Sequence, residues 1–342
     1  MANVVFMDGF DMYDGANNNS PKPGIHSKWI IAQGDNLRFT DGRYGGQAVH
    51  LGAATFGNII RGFFNENLFL QTSTVAFAFL TDNIANMENN GRFFTLLHNQ
   101  GDQFGISFSN IGEVRLLRGN TVVASSVPNL IRTNDWHYIE MEYVGHTTSG
   151  RAALYLDGVK VVEYVGNTQN QAPYGFNGLQ LSGTNASNYY IDDLYVIDQA
   201  TRIGERRIET LRPNGDVSGN MFTPSAGSFG YSALNENLVS ADNFVSATLN
   251  GAQDMYNFSN LTTTPNKIDA VQLSVWASKT DAETRQMATL VKSGTTVTTS
   301  KNYNLPTNHL DMNRIENLDP ATGAAWTPTG VNALQAGFKI TK

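Results

Sequence analysis

The sequence predicts an all-β protein made of two antiparallel β-sandwich domains, and three observations support this class. In most stretches that are rich in apolar residues, apolar and polar side chains alternate with period two, as they do in half-buried strands. Only 15 % of the residues are charged, so the polar character of the chain comes mainly from Asn, Thr and Ser, and 32 residues are Gly. These small polar residues cluster in short gaps between the apolar runs, which is typical of turns that join short strands.

The alternating segments follow one another through the first 200 residues. They lie at 74–81, 103–110, 113–119, 137–145, 151–166 and 189–198, and "FGNIIRGFF" and "GLQLSG" add two more predicted strands. Within 151–166, the pair Asp157-Gly158 separates two alternating runs. Asp-Gly is a preferred pair for a type I′ turn, which needs positive φ at both central residues. A tight hairpin is therefore predicted at this pair.

A change of pattern divides the chain into two predicted domains. Alternation stops near "QATRIGER", so we expect a first domain at 1–200, a linker at 201–206 and a second, smaller β-sandwich domain at 207–342. In the second domain, 268–280 alternates with Val271, Leu273 and Val275 on one face.

Single segments of the second domain predict a short helix and a long loop. Pro328 suits the first turn of a short helix before a final strand, because its missing N–H is not needed there. The long polar segment 225–243 shows weak patterning, and it is either a surface loop or an interaction segment.

The composition argues against several classes of partner and chemistry. A net charge of −7 disfavours nucleic acid, which needs a basic face. The absence of cysteine excludes disulfides and thiolate metal sites, and no apolar run approaches the roughly 20 residues that span a membrane. The six histidines show no zinc-binding spacing. The first residues lack a secretory leader pattern, so assembly in the cytoplasm is expected.

The opening stretch "VVFMDGFDMYDG" places Asp8, Asp11 and Asp14 in seven positions. One interpretation is that these carboxylates end the first strand and accept hydrogen bonds from nearby loop amides. The other is a calcium site in which Asp8 and Asp11 join Asp192 or Asp193 from segment 189–198, since calcium needs six to eight oxygens. Calcium is the one cofactor that the sequence leaves open.

The carboxylates that best fit hydrolytic chemistry are Glu140 and Glu142. Retaining glycosidases need two carboxylates about 5–5.5 Å apart, and these two share a strand face about 7 Å apart. Their alternation with apolar residues predicts a solvated outer face instead of a catalytic cleft. Beside them, Trp136 is expected in the core and His137 half-exposed. No catalytic residue is predicted, and the chain is not expected to be an enzyme.

Two loops offer side chains suited to a ligand or a protein partner. "NQAPYGFNG" and "SGTNASNYY" combine amides, which hydrogen-bond sugars, with aromatic rings, which stack on them and are enriched at protein interfaces. The candidate ligand or interface residues are Asn170, Tyr174, Phe176, Asn177, Asn185, Asn188 and Tyr189. The alternative is that these loops are merely solvated.

The first 200 residues resemble the concanavalin A-like lectin/glucanase sandwich, a jelly roll, in the laminin-G-like form found in phage virion proteins. The likeness rests on the order of "FMDGFDMY", "DGRYGGQAVHLG", "NDWHYIEMEY", "ALYLDGVKV" and "YIDDLYVID". It implies that the first strand pairs with the last, so that Phe6 and Phe10 share a core with Ile191, Leu194 and Val196. The E-x-D-x-x-E strand of the glucanase branch is missing here.

The second half resembles the C-terminal part of uncharacterised phage and prophage structural proteins, through "IETLRPNGD", "FTPSAGS" and "LDPATGAAWTPTGVNALQAGFKI". Together the two resemblances imply a virion component, and they imply neither a chemistry nor a position on the head or tail. The preferred interpretation is a non-enzymatic capsid decoration or head-fibre-like accessory that works through protein–protein assembly. Its partners would be major capsid or tail proteins and further copies of itself. The alternatives are a tail fibre or tail-associated adhesin that binds a host surface glycan, and a polysaccharide hydrolase. Head or tail position, host and oligomeric state stay open.

Overall fold

The computed structural model describes residues 2–13, 28–33, 37–52, 58–64, 68–84, 92–173, 175–183, 187–236 and 242–342. Contacts along the chain divide it into two compact units. The first comprises Met1–Asp11 and Gly15–Ile208, and the second comprises Met12–Asp14 and Glu209–Lys342. Residues 201–206, which the sequence predicts as a linker, fall within the first unit.

The first unit is built from short antiparallel strands. In its described part they are β1 (Val4–Asp8), β2 (Trp29–Gln33), β3 (Leu37–Asp41), β4 (Gln47–Leu51), β5 (Ile59–Phe63), β6 (Thr72–Thr81), β7 (Arg92–His98), β8 (Gly101–Phe108), β9 (Val114–Arg118), β10 (Thr121–Ser125), β11 (His137–Val144), β12 (Gly150–Leu156), β13 (Val159–Gly166), β14 (Gly178–Ser182) and β15 (Tyr189–Ile197). Sheet A has the order β13-β12-β11-β6-β15-β4-β3, with β1 also paired to β15, and sheet B has the order β10-β9-β8-β7-β14-β5-β2. The predicted all-β class is confirmed.

Aromatic side chains join the two sheets into a sandwich. Phe77 of sheet A stacks on Phe94 of sheet B with ring centroids 5.0 Å apart. Phe79 of sheet A lies 4.8 Å from Phe93 of sheet B. All four rings are fully buried, and each such pair adds about 0.5–1.5 kcal/mol to the free energy gained from burial alone.

The first strand lies beside the last, as the resemblance implies. Val4 pairs with Ile197 and Asp8 with Leu194 in antiparallel register. Phe6 and Phe10 are buried and contact Trp29, with ring centroids 5.4 and 5.8 Å away. The side chains of Ile191, Leu194 and Val196 are buried in the same unit. This predicted pairing is confirmed.

The hairpin predicted at Asp157-Gly158 is also confirmed. Strand β12 ends at Leu156 and β13 begins at Val159, so the two residues form the whole turn. Their φ angles are 51° and 83°, the positive values that a type I′ turn requires.

The second unit is a smaller two-layer β domain. Its strands are β16 (Pro213–Asp216), β17 (Thr223–Pro224), β18 (Val245–Ser246), β19 (Gln253–Phe258), β20 (Val271–Ala277), β21 (Gln286–Ser293), β22 (Thr296–Thr299), β23 (Tyr303–Asn304), β24 (Leu310–Glu316) and β25 (Gln335–Ile340), with a 3₁₀ turn at Tyr231–Ala233 and one short helix, α1 (Pro328–Asn332), in its described part. Sheet C has the order β16-β19-β25-β21-β22, with β23 also on β21, while β20 pairs with β24 and β17 with β18.

The β20–β24 pair packs on sheet C and closes the core of this unit. Val275 lies against a cluster that includes Tyr256, Met312 and Phe338. Val271 and Leu273 pack on a neighbouring cluster around Trp326. The predicted shared face of Val271, Leu273 and Val275 is confirmed.

Pro328 occupies the first turn of α1, as predicted. The hydroxyl of Thr327 caps this helix by accepting a hydrogen bond from the Gly330 N–H at 3.0 Å. No helix within the ranges given above is both long and apolar enough to cross a lipid bilayer.

Candidate functional site

The Asp8 carboxylate binds residues on and beside the first strand. Its Oδ2 lies 3.1 Å from the Lys28 ammonium and accepts a hydrogen bond from the Trp29 indole at 2.8 Å. Its Oδ1 accepts from the backbone N–H of Phe10, which has a φ of 58°. Both oxygens of this buried carboxylate therefore have structural partners, in agreement with the first interpretation of the opening stretch.

A second group of acids, the aspartate cluster, consists of Asp11, Asp192 and Asp193. Asp11 accepts from the Gln47 N–H at 2.7 Å, and Asp192 accepts from the Arg43 N–H at 2.8 Å. The Arg43 amide belongs to the glycine-rich loop between β3 and β4, and the Gln47 amide is the first of β4. A Cβ at Gly46 would stand only 2.0 Å from the Asp11 carboxylate, so glycine at this position lets the acid approach.

Asp193 is held in a bulge of β15. The register of β15 against β6 shifts between Asp192 and Tyr195, and Asp193 adopts a φ of 52°. Its Oδ1 accepts from the Ile208 N–H at 2.7 Å. Its Oδ2 is buried and accepts no hydrogen bond from the residues that the structure describes.

Asp192 and Asp193 hold their protons more tightly than ordinary carboxyl groups. Burial, and then repulsion from Asp193, raises the pKa of Asp192 to about 7. Burial raises the pKa of Asp193 to about 6, with a further contribution from Asp11 and an opposing one from Arg43. Two adjacent acids under 6 % exposed are therefore partly protonated near neutral pH.

The predicted calcium trio is not brought together as one ligand set. Asp11 and Asp192 meet in the aspartate cluster, whereas Asp8 binds Lys28 and Trp29. Over the described ranges, no three or more His, Asp or Glu side chains are arranged so that they could hold a metal ion. Asp14 lies outside the described residues. Calcium binding by Asp8, Asp11 and Asp192 stays a prediction.

Glu140 is buried, which corrects the expectation of a solvated outer face. It is 1 % exposed because residues 199–208, here called the covering segment, lie across it. Its Oε2 accepts from the Arg202 Nε at 2.8 Å, and its Oε1 accepts from the Gly204 N–H at 3.0 Å. Alternation identified the outward side of β11 correctly, but it could not show that another part of the chain lies over that side.

Glu142 is also buried, at 8 % exposure, and it pairs with a different arginine. Arg151 donates to Glu142 at 2.8 Å and to Glu163 at 2.6 Å across strands β11, β12 and β13. The two glutamates that came closest to a catalytic pair therefore bind two separate cations. This arrangement is that of structural ion pairs.

The covering segment is fixed along its whole length to the outward face of sheet A. The Thr74 hydroxyl donates to the Gln199 carbonyl at 2.9 Å, and the Tyr195 hydroxyl donates to the Gly204 carbonyl at 3.0 Å. The Arg206 N–H donates to the Tyr138 hydroxyl at 3.1 Å. Burial raises the pKa of Tyr138 well above 10, so its phenol stays neutral and the contact persists across the physiological range.

His137 is fully buried, so the expectation that it is half-exposed is wrong. Its Nε2 accepts from the Arg132 N–H at 3.0 Å, which places the ring proton on Nδ1, 2.8 Å from Asp157. The imidazole thus ties the beginning of β11 to the Asp157-Gly158 turn. Trp136 is only half-buried, and the indole in the core is that of Trp29.

The first predicted ligand loop is held by its own amides. The Asn170 amide donates to the Asp102 carbonyl at 2.7 Å, and Asn177 exchanges hydrogen bonds with Asn99. Phe176 is fully buried, with its ring 5.8 Å from that of Tyr143. Phe176 is therefore a core residue and not a surface ligand group, which corrects that prediction.

The second predicted loop lies at the other end of β14. Asn188 donates its backbone N–H to Asp82 at 3.0 Å, and its side-chain oxygen lies 3.1 Å from the His50 ring. Tyr189 is fully buried against Phe79 and Phe93. Tyr174 and Asn185 lie outside the described residues. Because β14 joins the two loops, their remaining residues occupy opposite ends of sheet B and form no common site.

Sequence reasoning missed one surface group beside Asn188. His50 stacks on Tyr190 with ring centroids 4.6 Å apart and planes 8° from parallel. Arg38 stands opposite His50 on the neighbouring strand. Burial lowers the pKa of His50, so its ring is neutral at pH 7. A cross-strand prediction that paired β4 with β15 would have found this stack.

No protein-family model matches the chain, and no curated protein matches it. Among solved structures, the cellulose-induced protein Cip1 is 14 % identical, with a TM-score of 0.40 over 57 % of this chain and 100 % of that one. The alginate lyase Aly36B is 10 % identical, with a TM-score of 0.40 over 61 % and 98 %. Lectin II from Ulex europaeus is 11 % identical, with a TM-score of 0.35 over 57 % and 98 %. Scores this low transfer no ligand or activity to this chain.

Proposed function

We propose that this chain is a non-enzymatic structural protein of a bacteriophage particle, a capsid decoration or head-fibre-like accessory that works through protein–protein contacts. The order of sequence segments in both halves supports this role. The observation that carries the non-enzymatic part is the state of Glu140. This carboxylate is buried under the covering segment and bound by Arg202 and Gly204, so a substrate could reach it only if that segment left sheet A.

The particle itself provides the test of this role. Phage particles from a strain that encodes the chain would be purified by density gradient and examined by quantitative mass spectrometry. We expect the chain at a copy number that is a multiple of the particle symmetry, because repeated sites on a symmetric shell or tail are filled equally. Gradient-purified particles that lack the chain would contradict the proposal.

An activity measurement tests the non-enzymatic part separately. The purified chain would be incubated with polysaccharide from the host surface, and soluble reducing ends would be measured over time. We expect none to appear. Release that the Glu140→Gln variant abolishes, while Asp135→Asn preserves it, would show that the buried carboxylate is catalytic.

A second candidate function, glycan binding by a tail fibre or tail-associated adhesin, is favoured by the His50–Tyr190 stack. A flat, half-exposed ring pair beside Asn188 and Asp82 offers the stacking surface and hydrogen-bonding groups that sugars use. A glycan array would test it with His50→Ala and with Asn177→Ala, which lies at the other end of β14. Binding that only His50→Ala removes would support the adhesin, and no binding by the unmodified chain would exclude it.

A further inference from the structure

Sheet B carries a row of polar residues on the face that points away from sheet A. Arg61 of β5 stands opposite Gln180 of β14, and Gln180 stands opposite Thr95 of β7. These three residues are here called the polar row, and the row ends at Gly105 of β8, which stands opposite Thr95.

The register shows that the polar row lies on one face. One position further along the same four strands, the side chains are apolar and fully buried: Ile60, Leu181, Phe94 and Ile106. Of these, Phe94 stacks on Phe77 of sheet A. Because successive side chains of a strand point to opposite sides, the apolar row faces sheet A and the polar row faces away from it.

Arg61 brings a positive charge to the polar row that no acid offsets. Its Nε donates to the Gln180 Oε1 at 2.8 Å. Over the described ranges, no carboxylate lies within ion-pair distance of its guanidinium, whereas Arg92 and Arg115 in the same sheet form ion pairs. A half-buried guanidinium with further N–H groups is suited to bind a carboxylate through two parallel hydrogen bonds.

The rest of the polar row offers neutral hydrogen-bonding groups. The Gln180 Nε2 donates to the Ser182 Oγ at 3.0 Å, so this amide is held in place. Thr95 is 1 % exposed, and its hydroxyl has no hydrogen-bond partner in the described part of the chain. A buried hydroxyl without a partner is unfavourable. A Cβ at Gly105 would lie 3.5 Å from this hydroxyl, so glycine leaves room beside it for an oxygen atom of a ligand.

The groups along the row select the class of ligand. Three inter-strand steps separate Arg61 from Gly105, or about 14 Å at the usual spacing. A ligand that matches the row places a carboxylate at Arg61 and hydroxyl groups along the way to Thr95. A chain of sugars that carry carboxylates has both groups in this extended arrangement. A neutral sugar would leave the charge of Arg61 uncompensated, and an acidic peptide has few hydroxyl groups.

We infer that the outward face of sheet B binds an acidic polysaccharide, with a carboxylate on Arg61 and a sugar hydroxyl on Thr95. This site belongs to a different sheet from the His50–Tyr190 stack, and it goes beyond the proposed structural role. Its test is done on the purified chain without particles. A negative result therefore leaves the presence of the chain in particles a separate question.

Isothermal titration calorimetry on the full chain measures the binding. The probes are short oligosaccharides of galacturonate, of mannuronate and of hyaluronan. The same oligosaccharides with their carboxylates reduced to alcohols are the neutral probes, and a glycerol phosphate oligomer is the phosphate probe. Arg61→Gln removes the charge, and Thr95→Val removes the hydroxyl but keeps the shape of the side chain. Arg132→Gln, at an arginine whose side chain is 65 % exposed outside sheet B, is the matched control.

We expect at least one acidic oligosaccharide to bind, more weakly as salt increases, and its reduced form not to bind. Arg61→Gln should weaken binding about 10-fold or more, and Thr95→Val about 3- to 10-fold, whereas Arg132→Gln should leave it unchanged. In urea unfolding, Thr95→Val should be at least as stable as the unmodified chain, because it removes a hydroxyl that lacks a partner. Its weaker binding then cannot come from unfolding.

Four results would each overturn the inference. They are no binding of any acidic oligosaccharide by the unmodified chain, equal binding of the reduced forms, tighter binding of the glycerol phosphate oligomer, and equal effects of Arg61→Gln and Arg132→Gln.

Discussion

The raised pKa of Asp193 predicts how the stability of the first unit depends on pH. Asp193→Asn removes one charge but keeps an oxygen that can accept from the Ile208 N–H, and asparagine tolerates the φ of 52°. Burial raises the pKa of Asp193 from 3.8 in the unfolded chain to about 6 in the folded one. The folded state therefore binds the proton more tightly than the unfolded state. This contribution to stability is complete below pH 4 and is lost as the pH rises through 6.

The size of the effect follows from the same difference. A pKa shift of roughly two units corresponds to about 3 kcal/mol, which is the gain at pH 8 from neutralising Asp193 if its neighbours are unaffected. Loss of the attraction to Arg43 reduces it, whereas relief of repulsion on Asp192 adds to it. We therefore expect Asp193→Asn to be about 2–3 kcal/mol more stable than the unmodified protein at pH 8, and no more stable at pH 4.

Urea unfolding of the first unit between pH 4 and pH 8 measures this difference. Asp135→Asn, at a carboxylate whose side chain is 56 % exposed beside Arg132, is the control and should change stability by less than about 0.5 kcal/mol at every pH. A difference between Asp193→Asn and the unmodified chain that does not vary with pH would refute the reasoning. If Asp193→Asn instead loses stability relative to the unmodified chain as the pH rises from 4 to 8, the attraction of the Asp193 charge to a cation or to Arg43 outweighs its burial.

Three further predictions concern residues discussed above. Phe176→Ala should lower the free energy of unfolding by about 3–5 kcal/mol, because it opens a cavity in the core. Asn177→Ala, the control, should change this free energy far less. Equal effects of the two variants in urea unfolding would contradict the placement of Phe176 in the core. Arg202→Met should lower the free energy of unfolding of the first unit by about 2–3 kcal/mol, less than the loss of a fully buried ion pair would cost, because Arg202 is partly exposed. Adding Glu140→Leu should restore most of this stability, since no buried charge then lacks a partner. If the double variant recovers no stability in urea unfolding, the ion-pair account is wrong. A chelator should leave the melting temperature unchanged because Asp8 is bound by Lys28, and a fall on chelation, reversed by added calcium, would instead support the calcium site.

Local pattern was enough to predict many of the strands and one hairpin. The Asp157-Gly158 hairpin rests on backbone preferences of two adjacent residues, so sequence alone predicts it well. The pairing of β1 with β15 spans almost 200 residues. It was predicted from the order of several segments in the resemblance, and periodicity by itself would not have shown it.

The candidate site was harder to predict, for a physical reason. Alternation shows which side chains share a face, but the burial of Glu140 depends on the covering segment, more than 50 residues away in sequence. Phe176 lies in a glycine- and asparagine-rich stretch that reads as a solvent-exposed loop, yet its ring enters the core. Polar composition describes a segment as a whole and says little about a single aromatic residue within it.

The adjacency of β1 and β15 has a further consequence. The Asn3 side chain donates to Asp198 at 2.8 Å, so the polypeptide enters β1 and leaves β15 at neighbouring points at one end of sheet A. A fold with this property can be transplanted as a cassette into a loop of an unrelated scaffold, because the recipient loop need open by only about one strand spacing to accept it. The same geometry suits exchange of such modules between genes by recombination.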